Sequence, residues 1–319
     1  MIAVHFEKRR AYVRDVGKPR RPVGYATIRL LCGGICNTDL ELLRGYYDFS
    51  GTPGHEFVGE VVAADNPRLI GRRVVGEINL ACRRCDWCTR GLERHCPTRK
   101  VLGIVQHPGA FREFLTLPEL NLHVVPDNVP DHAAVFVEPL AAACEILDQV
   151  AIPQGAKIAV LGDGKLGLLI AQVLQASGHR VHQYGRHKAK LHISEAVGVT
   201  TEVARSRLPA AAYDWVVEAT GSADGLMQAV RMTRPRGTVF MKSTVHGNVS
   251  LDTAPVIVHE ITLVGSRCGR FEPALSLLAE GRVHVAPMIS DVFPLSSAPV
   301  AFRAAARSGV LKVLLENRS

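Results

Sequence analysis

Four cysteines, Cys82, Cys85, Cys88 and Cys96, fall within fifteen residues as Cys-x2-Cys-x2-Cys-x7-Cys. A closed structural zinc site takes four soft ligands in a tetrahedron, and this stretch (80–98) supplies them without outside help. Gly91 and Pro97 add turn chemistry to the loop. A four-iron cluster would also accept four thiolates, and disulfides are a third option. The first ten residues alternate apolar and charged side chains and lack the apolar stretch of a secretory leader. That points to a reducing, cytoplasmic setting, where zinc is the better reading.

A catalytic zinc needs three protein ligands and an open position. Candidates are Cys36 in Gly34-Ile35-Cys36-Asn37-Thr38-Asp39, His55 in Gly54-His55-Glu56, and Glu138 in Val137-Glu138-Pro139-Leu140. Spacing alone does not join them, because each residue type is more often structural than metal-binding.

A third pattern is Gly162-Asp163-Gly164-Lys165-Leu166-Gly167, placed after an apolar run and before a helical one. In a dinucleotide fold the first glycine permits the tight turn. The second lets backbone approach a pyrophosphate, and the third lets helix pack on strand. The helix N-terminus then faces the phosphates. An NAD site usually places a carboxylate about 20 residues further on, for the ribose hydroxyls. Here no acidic residue lies between Asp163 and Glu195, and the next strand ends in Gly185-Arg186-His187-Lys188. Arg186 can stack on adenine and pair with a 2′-phosphate through its planar fork, with Lys188 and Lys190 adding charge. NADP(H) is therefore favoured over NAD(H).

The elements that must position these residues divide the chain. The first third reads as strands and turns, with 25–31 and 55–62 rich in β-branched and aromatic residues, and no convincing helix before Asp131. From Pro139 the composition turns helical. After Gly155, strands at 158–161, 180–184, 213–218, 238–241 and 261–264 alternate with helices, the signature of βαβ units and a parallel sheet. Residues 310–315 read as a last strand. The expected class is α/β: a β-barrel-like catalytic part (1–140), an inserted doubly wound dinucleotide domain (141–267), and a return to the first part (268–319).

The chain has 319 residues, 47% of them hydrophobic, and a formal net charge of +8. The basic residues are scattered rather than run together, which argues for a solvated surface over a nucleic-acid site. No apolar run approaches the roughly 20 residues of a membrane span. A nucleic-acid binder built on the cysteine lobe would need a basic recognition helix or an RNA-type aromatic motif, and neither is present.

Taken together, GICNTD, GHE after Pro53, the four-cysteine lobe, VEPLA, LGDGKLG, Asp214-Trp215-Val216-Val217-Glu218-Ala219-Thr220-Gly221 and the closing LKVLL resemble the zinc-dependent medium-chain dehydrogenase/reductase family over essentially the whole length. Glu138 resembles the polyol, threonine and glucose dehydrogenase branch. The resemblance implies a GroES-like barrel carrying an inserted Rossmann domain, with the catalytic site in a cleft between them. It also implies two zinc ions per chain. Cys36 and His55 would bind the catalytic zinc, with Glu56 as a further ligand and Glu138 bound directly or through water. Asp39 would orient His55, and Thr38 would take the alcohol proton into a relay. The zinc would polarise the oxygen of a small-molecule alcohol, polyol or sugar, or of its carbonyl, while hydride passes to or from the nicotinamide. A homodimer or homotetramer is the family's usual state. Two features depart from the family pattern. Glu41 stands where many relatives end the relay in histidine, and the segments 36–55 and 63–73 are compact. A catalytically silent relative acting as a binding module, and a zinc-independent reductase, are the rival readings. Neither has a residue in its favour.

Overall fold

The structure, a computed structural model, describes residues 1–204, 208–244 and 250–317. The chain divides into two compact units, Met1–Glu138 with Met288–Ser319, and Pro139–Pro287.

The first unit is built around the strand Tyr25–Ile35, whose side chains alternate between half-buried and buried over 25–31, as a strand with one face on the core requires, and are all buried over 32–35. It pairs antiparallel with Glu56–Ala63 and Phe114–Pro118, and its C-terminal end also pairs with Lys312–Glu316. Ile28, Leu30, Val58, Val61, Leu115, Val313 and Leu315 fill the core with almost no exposure. The register sets Gly34 opposite Glu56 on one side and opposite Leu314 on the other. Cys36, Glu56 and Lys312 therefore sit at one end of three adjacent strands. Lys312 reaches this end from 256 residues beyond Glu56 in the chain.

Apart from Asp86–Thr89, which is only one turn, the sequence reading of the first third differs from the structure chiefly at the helix Asn37–Arg44. Eight residues make barely two turns and give little periodicity to detect. Its start is nevertheless capped: the Cys36 N–H donates to Asp39 Oδ2 at 2.9 Å, in a capping box with cysteine in the usual Ser/Thr place. Gly45, left-handed at φ 109°, ends it.

The second unit contains a parallel six-stranded sheet in the order Thr200–Val203, Arg180–Gly185, Lys157–Leu161, Tyr213–Glu218, Thr233–Met241, Thr262–Gly265. In chain order that is 3-2-1-4-5-6, the doubly wound dinucleotide arrangement. Five of the six coincide with the strands read from sequence. The edge strand Thr200–Val203 is short and mostly exposed, so its pattern is weak. The unit continues to Pro287 rather than ending near 268. Arg270 pairs with Asp148 at 3.0 Å, and the His284 N–H donates to Gln172 Oε1 at 2.8 Å, tying this segment to the dinucleotide domain.

The fingerprint turn follows the strand Lys157–Leu161. Gly162 has φ 127°, and a Cβ there would lie 2.3 Å from the Ala219 carbonyl oxygen. A Cβ on Gly167 would lie 2.5 Å from the Gly162 carbonyl oxygen. Substituting Gly162→Ala should therefore cost at least about 1 kcal/mol and weaken dinucleotide binding. Urea denaturation and cofactor titration check this, and a variant matching wild type in both would disprove the role of the turn.

Candidate active site and metal centres

Asp39 organises the first constellation. Its side chain has no solvent exposure. Oδ2 accepts from the Cys36 N–H at 2.9 Å, and Oδ1 accepts from the Gly54 N–H at 3.2 Å. Oδ1 also lies 3.4 Å from His55 Nδ1, in ion-pair range though outside hydrogen-bond geometry. One carboxylate thus fixes the backbone of Cys36 and of the loop before His55, and faces one nitrogen of the ring, leaving the other for a metal.

Cys36 Sγ, a ring nitrogen of His55 and a carboxylate oxygen of Glu56 all lie within 4.8 Å of one another. A thiol, an imidazole and a carboxylate converging in a buried corner are the donor set of a catalytic zinc site. Glu138, at the start of the helix Val137–Gln149, stands outside that set but within electrostatic reach of it. Thr38 Oγ1 lies 3.8 Å from Cys36 Sγ. Glu41 is on the same helix but is half-exposed and paired with Arg44 at 2.5 Å.

Without a dication the cluster is electrostatically congested. Burial pushes the Glu138 carboxyl up to about 7; His55 opposes that shift, while Glu56 and Asp39 reinforce it. Burial works against a charged His55, but Asp39, with Cys36 adding, carries its pKa well above the ordinary imidazole value. Metal binding needs the neutral ring and the thiolate, so loading the site releases protons.

Sequence reasoning missed Lys312, which it read only as part of the last strand. This lysine is 1% exposed, and its Nζ donates to Glu56 Oε2. The available signal was a cation inside the apolar run Val310-Leu311-Lys312-Val313-Leu314-Leu315.

The four-cysteine lobe closes on itself. Sγ–Sγ distances are 3.5 Å for Cys85–Cys88, 3.9 Å for Cys85–Cys96 and 4.0 Å for Cys82–Cys88. Zn–S bonds of about 2.3 Å in a tetrahedron place sulfurs about 3.8 Å apart, so the four thiols fit zinc. All four are free cysteines, which sets the disulfide option aside. A backbone hydrogen bond at Arg84 is the main cause pulling Cys82 down to about 6, and burial pushes Cys88 up to about 12. Four crowded thiols cannot all ionise without a cation.

In the dinucleotide unit, a Cβ on Gly164 would meet no protein atom within 4 Å, leaving its backbone open to a ligand at the N-terminus of the helix Lys165–Ala176. Lys165 and Leu166 begin that helix. Arg186 is exposed, with no carboxylate pairing to it among the described residues, and Lys190 is half-exposed. Asp163 has a role the sequence did not reveal. Its Oδ2 accepts from the His187 N–H at 2.6 Å, holding the turn that carries Arg186.

Comparison with known proteins agrees with this geometry. Residues 23–127 match the alcohol dehydrogenase GroES-like domain, and residues 166–280 match the zinc-binding dehydrogenase domain. Sorbitol dehydrogenase of Halalkalibacterium halodurans is 30% identical over 325 residues, covering 95% of this chain and 94% of that protein. D-altritol 5-dehydrogenase of Agrobacterium fabrum is 30% identical, with 93% of each covered. Among solved structures, a zinc-binding dehydrogenase of Sinorhizobium meliloti with NADP bound superposes with a TM-score of 0.91. It is 28% identical, with 99% of this chain and 98% of that one covered. The chain belongs to the zinc-dependent medium-chain dehydrogenase/reductase family. It is an oxidoreductase of the alcohol dehydrogenase class that uses zinc and a nicotinamide cofactor on a small-molecule alcohol or carbonyl. No helix among the described residues is long and apolar enough to cross a membrane.

Two variants test the geometry of the metal centres. Asp39→Ala removes two charge-assisted hydrogen bonds and should cost about 3 kcal/mol, with loss of the metal held by Cys36 and His55. Cys96→Ser should lower Tm and lose any metal that the four-cysteine lobe holds. Elemental analysis and calorimetry read both, and full metal content in either variant would contradict the assignment.

Proposed function

We propose that the protein transfers a hydride between NADP(H) and a polyol or sugar alcohol, or the corresponding carbonyl, using two zinc ions per chain. The observation that carries this reading is the buried convergence of Cys36, His55 and Glu56 around Asp39. Zinc would be held there by Cys36, His55 and one carboxylate, Glu56 or Glu138, and would supply Lewis-acid polarisation of the substrate oxygen. The second zinc would be closed within Cys82, Cys85, Cys88 and Cys96.

The chain's own residues do the rest. Thr38, beside Cys36, passes the substrate hydroxyl proton outward. With Glu41 engaged by Arg44 on the exposed side of its helix, that relay ends in water. Gly162, Gly164, Lys165, Leu166 and Gly167 seat the pyrophosphate at the helix N-terminus. Arg186, with Lys190 nearby, takes the 2′-phosphate, and an NADP preference tilts the enzyme towards carbonyl reduction. The polyol class is supported by the sorbitol and altritol dehydrogenases named above. The protein works as a homodimer or homotetramer. The strongly exposed Ile257 and Val258, next to the edge strand Thr262–Gly265, support self-association.

Purified protein should contain two zinc ions per chain. Cys36→Ser should abolish turnover in a screen of polyols and sugars yet leave NADPH binding intact. Turnover equal to wild type would remove Cys36 from the site. Arg186→Ala should weaken NADPH at least about tenfold more than NADH, the range of a lost charge-assisted pair. Equal losses for both cofactors would defeat the 2′-phosphate argument.

A further inference from the structure

Gly185 ends the second strand of the dinucleotide sheet, Arg180–Gly185, where an NAD site usually carries its carboxylate, about 20 residues beyond the glycines. The room a side chain would need there is taken by Asp163. A Cβ on Gly185 would stand 2.5 Å from Asp163 Cβ and 2.8 Å from its Oδ2. Asp163 is seated over this strand end by bonds on both sides of its neighbour Gly162. The Gly162 N–H donates to the Tyr184 carbonyl oxygen at 2.8 Å, and the buried Gln183 Nε2 donates to the Gly162 carbonyl oxygen at 2.8 Å. The buried Asp163 carboxylate then reaches the next turn. Its Oδ2 accepts from the His187 N–H at 2.6 Å and lies 3.0 Å from Nδ1 of the same residue. Arg186 therefore stands, with its side chain exposed, between a residue that has room only as glycine and one that is anchored twice.

Resting on the NADP(H) reading above, we infer that Asp163 is a positioning residue that sets cofactor choice from inside the glycine fingerprint. It acts in two ways. By filling the space over Gly185 it keeps that residue a glycine, so the second strand offers no carboxylate to the ribose and none to repel a 2′-phosphate. By holding the His187 backbone and ring it fixes the turn, so the Arg186 fork meets the phosphate from a backbone already in place. The charge of Asp163 itself is spent on the His187 N–H and imidazole. Selectivity is thus divided between an arginine that touches the phosphate and an aspartate that acts through it.

NADPH and NADH titrated by fluorescence into the full-length protein test this, because the ratio of the two affinities reports the 2′-phosphate and not general stability. Asp163→Ala should weaken NADPH at least about tenfold and NADH no more than about threefold, as when a charge-assisted contact is lost for one cofactor alone. Asp163→Asn keeps an oxygen for the His187 N–H and should hold NADPH within about threefold of wild type. Asp163→Ala combined with Gly185→Asp returns a carboxylate to the strand end, with room for it, and should prefer NADH. A folded Asp163→Ala protein that loses both cofactors equally, or neither, overturns the inference and leaves Asp163 a structural residue of the turn. Should Asp163→Ala fail to fold, the other two variants decide. NADPH preference kept in the double variant, or lost in Asp163→Asn, overturns the inference. Wild-type protein that binds NADH as tightly as NADPH defeats the NADP(H) reading itself, and this inference with it.

Discussion

A carboxylate with no access to water must find its hydrogen bonds inside the protein or be destabilising, and Asp39 finds them among the candidate metal ligands. It accepts from the backbone of Cys36 and of Gly54 and faces His55. The bond from the Cys36 N–H also belongs to the cap of the helix Asn37–Arg44, so the residue that starts this helix is the candidate thiolate ligand. The loop before His55 is held from the other side by close packing. A Cβ on Gly54 would lie 2.6 Å from the Phe111 ring, and one on Gly109 would lie 2.1 Å from the Pro53 carbonyl oxygen. Two candidate ligands from different elements are thereby locked to one buried anion.

The charge surplus that this creates explains the rest of the pocket. Cys36, Asp39, Glu56 and Glu138 are four acidic groups in one corner, with His55 and Lys312 as the cationic partners. A protein interior tolerates such a group only with compensating charge. The ammonium arrives on the last strand, Lys312–Glu316, and lies over an aromatic ring. A divalent ion held there would offset part of the remaining negative charge, and the barrel's antiparallel register keeps Cys36, Glu56 and Lys312 at one sheet end.

The dinucleotide unit follows a parallel logic with backbone in place of metal. Gly162 and Gly167 bring strand, turn and helix closer than any side chain would allow, and Gly164 leaves open space where phosphate would approach. Asp163, inside the fingerprint, turns to the His187 backbone instead of to a ligand. Asp163 is thus committed to the backbone of the turn, and Arg186 stands exposed one residue before His187.

Periodicity and local spacing determined much of this from the sequence. The βαβ alternation after Gly155, the glycine fingerprint and the four-cysteine lobe are local patterns whose mechanics lie within short stretches of chain. Cys36, His55 and Glu138 were joined into one candidate site only through resemblance, because no spacing rule connects residues from separate elements. The helix Asn37–Arg44, the reach of the dinucleotide unit to Pro287, the turn of Asp163 towards His187 and the seat of Lys312 against Glu56 were decided by tertiary structure. The reason is physical: burial, register and counter-charge arise from contacts between distant segments, and a single sequence records the residues but not which of them meet.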